Sequence, residues 1–92
     1  MARFLPIFAL FFAFSLPVQA QSTAIESVCL ITDIGKVNDG TFNQFAYEGM
    51  VRAAEDFDLT STFIETQALT DYATNINICV EEGYDLIITV GW

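Results

Sequence analysis

An α/β fold around a parallel sheet is what these 92 residues predict, on three features of the chain. Two short runs, Val28 to Thr32 and Leu86 to Val90, are continuously apolar and rich in β-branched residues, as expected of strands covered on both faces. Between them lie two stretches whose apolar residues recur at three- and four-residue steps, the spacing of amphipathic helices. A shorter strand-like run, Ser61 to Glu65, separates those helices. With right-handed crossovers, the order strand, helix, strand, helix, strand places the first strand between the other two and one helix on each face.

Ahead of that fold the chain reads as an export signal. Arg3 supplies a positive start, Phe4 to Leu16 form an apolar run of about thirteen residues, and Val18-Gln19-Ala20 offers small residues for a peptidase. A membrane span needs about twenty apolar residues. This run is shorter, carries Pro6, is followed directly by Pro17, and gives way to Gln19, Gln21 and Ser22. The expectation is a signal peptide over residues 1–20, cut after Ala20. No cysteine follows the apolar run closely enough to carry a lipid anchor.

Residues 21 to 27 form a linker, and the first strand, Val28 to Thr32, ends in Asp33 and Gly35. After a polar loop a helix runs from about Thr41 to Asp56. Its apolar stripe is Phe42, Phe45, Ala46, Gly49, Met50, Ala53, Ala54 and Phe57, and its outer face holds Gln44, Glu48, Arg52 and Glu55. Thr41 with Gln44 fits a capping box, and Glu48 with Arg52 has a favourable ion-pair spacing. Phe63 and Ile64 centre the second strand. Thr70 or Asp71 then caps a helix to about Glu82, with Tyr72, Ile76, Cys79 and Val80 on one face and Gly83 as its left-handed terminator. Leu86 to Val90 completes the order and leaves the outer edge of the last strand unpaired. The expectation is therefore a piece of a longer protein that folds poorly alone.

Composition excludes several classes of function. Twelve acids oppose three basic residues, a net charge of −9, and once the leader is removed only Lys36 and Arg52 remain as cations. Nucleic acid and anionic lipid both require clustered Lys or Arg to displace counterions, so neither is an expected partner. Histidine, the commonest general base and metal ligand, is absent. There is no GxGxxG, no phosphate loop, no nucleophile triad and no metal-ligand cluster. A binding protein without a cofactor is expected, not an enzyme.

Open α/β sheets bind ligands beyond the carboxyl ends of their strands, which singles out Asp33 and the start of the first helix. A carboxylate just past a buried strand either caps a turn or points into the crevice as an acceptor for ligand N–H and O–H groups. Asp39-Gly40 is a turn signal, and an acid there is favoured by the helix dipole. Phe42 is either the start of the helix core or a platform for a ring. Asn43 lies off the apolar stripe, where its amide can donate and accept toward a ligand. Cys29 and Cys79 are too far apart for a zinc ribbon or a CxxC pair. The second helix crosses the first strand in this topology, so the two are either a disulfide or a pair of small buried hydrophobes.

Taken together, Val28 to Gly35, Asp39-Gly40-Thr41-Phe42-Asn43-Gln44, Tyr47-Glu48-Gly49-Met50 and Gly83 to Gly91 resemble the basic membrane protein family of solute-binding proteins, which includes purine nucleoside receptors of ABC transporters. The resemblance implies a type I periplasmic-binding-protein (flavodoxin-like) fold, with this chain as the start of the N-terminal lobe, truncated after β-α-β-α-β. It implies an extracytoplasmic protein, in the periplasm or on the outer face of the plasma membrane, that binds a nucleoside-like small molecule between two lobes and hands it to an ABC permease. By position, Asp33 would bind polar groups of the ligand, Phe42 would stack on its ring and Asn43 would hydrogen-bond nearby. A sensory module signalling to a receptor partner is the alternative that the same fold would serve.

Overall fold

The centre of the sheet is β1, Ser27–Ile34, whose residues 28 to 32 are all buried because both faces of the strand are covered. The computed structural model describes residues 24–91 together with Pro6; that proline aside, the expected signal peptide over residues 1–20 lies outside the described residues. After β1 come α1 (Phe42–Phe57), β2 (Thr60–Thr66), a short 3-10 turn over Leu69–Asp71, α2 (Tyr72–Glu81) and β3 (Leu86–Thr89). The strands pair in the order β2-β1-β3, all parallel. The α/β class, the element order and the central place of the first strand agree with the sequence expectation, with ends displaced by at most two residues.

Alternation along β1 sorts its side chains to the two helices. Val28 and Leu30 pack with Met50 of α1, flanked by Ala46, Tyr47 and Ile88. Cys29 and Ile31 pack with Cys79 of α2, flanked by Tyr72, Ile76 and Ile87. The helices therefore lie on opposite faces of the sheet. On the α2 side the contact is covalent: the sulfurs of Cys29 and Cys79 form a disulfide, with the two Cα atoms 6.1 Å apart. Across the other layer the Tyr47 ring meets Phe63 of β2 edge-on, with centroids 5.2 Å apart.

Three local expectations need correcting. Of the expected apolar stripe of α1, Ala46 and Met50 pack inward, joined by Asn43 and Tyr47 from beside it, whereas Phe42, Phe45 and Phe57 are exposed. Eight apolar positions exceed what one helix can press against three strands, so packing selects one ridge. Thr41 makes no side-chain cap; instead, Asp39 Oδ1 accepts from Thr41 N at 2.8 Å and Gln44 N at 3.0 Å. The charged acceptor two residues upstream captures the Gln44 amide that the threonine hydroxyl was expected to take and the Thr41 amide that the Gln44 side chain was expected to take, while Gln44 Oε1 accepts from Gly40 N. On α2, Val80 is exposed and Asn75 takes the inner position, because Asn75 Nδ2 donates to the buried Thr66 Oγ1. Gly83 does end α2 in the left-handed region, at φ +77°.

Candidate functional site

Beyond Ile31 the pairing of β1 with β2 shifts: Ile31 faces Ile64, but Ile34 faces Thr66, so one extra residue lies on β1. Thr32 fills the irregularity. Its buried Oγ1 accepts from Thr66 N at 2.9 Å and donates to Gly35 O at 3.3 Å, and Gly35 N donates to Thr66 O at 3.1 Å. The chain turns at Gly35, whose φ of +132° is a glycine conformation and where a Cβ would stand 3.4 Å from Asn43 Nδ2. Thr32 and Asp33 have no register partner on β2 at this bulge, and of the two Asp33 lines the cleft described next.

Asp33 is held by its backbone. Its N–H donates to Asn43 Oδ1 at 2.8 Å, and its carbonyl accepts from Asn43 Nδ2 at 3.5 Å. Asn43 is only 2% exposed, so the side chain expected to face a ligand is turned onto the neighbouring strand end. A buried amide must find partners for its donor and acceptor, and the unpaired peptide group of Asp33 offers both. The Asp33 carboxylate accepts from Ile34 N at 2.8 Å and lines a cleft of about 400 Å³ with Leu69, Tyr72, Thr89 and Gly91. That volume lies within the range of small-molecule pockets, about 300–1,000 Å³. The cleft opens beyond the carboxyl ends of β1 and β3, where open α/β sheets place their ligands.

Phe42, 67% exposed at the first position of α1, is not part of the cleft lining. The structure therefore brings Asp33 and Asn43 into contact and sets the Phe42 ring on the adjoining turn, outside the hydrophobic core. Tyr72, Thr89, Leu69 and Gly91 are not site expectations of the sequence, which places Tyr72 only on one face of the second helix. The same strand-end rule that selected Asp33 points to the carboxyl end of β3, which was the signal available for Thr89 and Gly91.

Asp39, at the start of α1, is a local anchor. The hydrogen bond from Thr41 N–H foremost, against an upward push from desolvation and with smaller help from Gln44 N–H, holds its carboxyl below the usual aspartate value. Among the described residues no group of acids and cysteines is arranged to hold a metal ion, and no helix is long and apolar enough to cross a membrane.

Comparison with known proteins adds a family. Residues 25–92 match the family model Bmp, described as ABC transporter substrate-binding protein PnrA-like. A CD4+ T-cell-stimulating antigen of Listeria monocytogenes is 34% identical over 71 residues, covering 72% of this chain and 20% of that protein. The ABC transporter nucleoside-binding protein BmpA of Lactococcus lactis is 33% identical over 67 residues, covering 68% of this chain and 19% of its own length. The chain thus spans about a fifth of the length of the curated relatives it matches.

Proposed function

The chain belongs to the Bmp family of PnrA-like ABC transporter substrate-binding proteins, and from that premise we propose that it is the opening part of the first lobe of an exported protein that captures a purine nucleoside or a related small molecule for a membrane permease. The observation that carries the reading is the Asp33 carboxylate facing a cleft of about 400 Å³ at the strand ends. The relative named as nucleoside-binding supports the ligand class.

Each residue has a physical role in this reading. Asp33 accepts hydrogen bonds from ligand N–H or O–H groups, charge-assisted and therefore stronger than neutral ones. Phe42, exposed beside the strand end, offers a flat face for a purine ring. Asn43 acts through Asp33, because both of its polar atoms are engaged on that residue's backbone. In the longer protein a second lobe would supply the opposite wall. Ligand bridging the two lobes would favour the closed form by its differential affinity for that form.

Titration calorimetry of the full-length mature protein with purine nucleosides tests this. Binding is expected, weakened at least about tenfold by Asp33→Ala and by Phe42→Ala, the loss of a charged hydrogen bond or of a stacked ring. Absence of heat with every nucleoside would remove the ligand assignment.

A further inference from the structure

We propose that Tyr72 is a positioning residue: by giving its one hydroxyl proton to the Val90 carbonyl it holds Gly91 opposite Asp33, and so sets the width of a slot that takes a donor-bearing edge of the solute. The proposal rests on the reading that a small polar solute binds in the Asp33 cleft.

Val90 is held from two elements. Its N–H donates to Ile31 O of β1 at 3.0 Å, and its carbonyl accepts from Tyr72 Oη at the first position of α2. Tyr72 stands on a firm base. Its ring is half-buried against Cys29, Ile31 and Cys79, and the Cys29–Cys79 bridge ties the helix to the strand below. The next residue, Gly91, has φ +134°. A Cβ there would lie 3.4 Å from Tyr72 Oη and 3.5 Å from both Cγ and Oδ1 of Asp33, so a single methyl group would touch both walls. One wall of this gap is fixed by Asn43 through the Asp33 backbone, the other by Tyr72 through Val90.

The polarity of the slot follows from the direction of these bonds. The proton of Tyr72 Oη is committed to Val90, which leaves only lone pairs toward the cleft. An Asp33 carboxylate is likewise acceptor-only. Two side-chain acceptors facing one gap favour a ligand edge that carries hydroxyl or amino donors and disfavour one that carries acceptors, which would leave both groups unpaired.

Tyr72→Phe in the full-length protein keeps the ring and removes the hydroxyl. In the unliganded protein, amide exchange at Val90 is expected to rise about tenfold, the size of one net hydrogen bond, while exchange at Met50 on the opposite face stays unchanged. Purine nucleoside binding should weaken by a similar factor, and that loss should vanish in an Asp33→Ala background, because both residues act on one slot. Unchanged protection at Val90 overturns the proposal, as does an equal loss of affinity with and without Asp33. If the wild-type protein binds no purine nucleoside, the ligand reading fails separately. Exchange at Val90 then decides the positioning role alone, a rise supporting it and no change refuting it.

Discussion

The carboxylate of Asp85, at the amino end of β1, accepts from Glu26 N, Ser27 N and Ser27 Oγ at 2.9, 3.1 and 3.2 Å. That of Asp33, at the carboxyl end, accepts only from Ile34 N at 2.8 Å among the described residues. A carboxylate has about four lone-pair sites. At the amino end three donors stitch the start of β1 to the loop before β3, and Asp85 N–H donates in return to Ser27 Oγ at 3.0 Å. At the carboxyl end the protein grips the Asp33 backbone through Asn43 and leaves the side chain with acceptor capacity. One residue type, at two ends of one strand, serves as fastening in the first place and as an available acceptor in the second.

Removing what the two ends share is expected to have the largest effect. The Cys29–Cys79 bridge joins residues 50 apart in sequence and lies between the ends. Its replacement by two serines should cost about 4 kcal/mol by loop-closure entropy. Denaturant unfolding of the full-length protein measures this, and intact mass with and without reductant verifies the bridge. A loss below about 1 kcal/mol would show that packing alone fixes α2.

Next in size is Asn43→Ala, which strikes only the carboxyl end. Leaving the Asp33 N–H without its partner should cost about 2 kcal/mol and also weaken ligand binding. Normal affinity in this variant would mean that Asp33 needs no support from α1. The sharpest contrast is between the two aspartates. Asp85→Ala should lower stability by about 1 kcal/mol and leave affinity intact. Asp33→Ala should change stability by less than about 0.5 kcal/mol and lose affinity. Thermal melts and calorimetry on the same pair of variants would reverse the assignment if these effects exchanged places.

The smallest effect concerns Asp39, the third aspartate, exposed at the helix start. Its carboxyl is held below the ordinary 3.8 by the Thr41 and Gln44 amides. A lowered folded-state value means stabilisation that is fully present above the unfolded value of 3.8 and is lost as the pH falls through the folded value. The difference in melting temperature between wild type and Asp39→Ala should therefore hold from neutral pH down to about 3.8 and shrink below it. A difference independent of pH would assign the contribution to the turn and not to the charge.

Much of this architecture was legible residue by residue. Val28 to Thr32 could be read as a strand buried on both faces because no polar face had to be accommodated, and Gly83 marked a helix end because the left-handed region favours glycine. Asp33 stood out for the same reason: an acid directly after such a run has no place inside the sheet. Asn43 was misjudged. Its partner lies ten positions away on another element, and helical spacing says nothing about which residue waits across the gap. The stripe of α1 was legible as apolar but too wide to show that Met50 would turn inward while Phe42 and Phe45 stayed out.

By itself the sequence determined the order of strands and helices and the parallel topology with the first strand at its centre, because periodicity, turn residues and chirality act over a few neighbours. Only the tertiary structure decided that Asn43 grips Asp33, that Tyr72 and Gly91 close the far side of the cleft, and that Asp39 rather than Thr41 anchors α1. The cleft contacts join residues from separate elements, and the anchor depends on the path of its loop. Which polar groups meet is set by the bulge, the crossovers and the packing of whole elements, none of which a local pattern encodes.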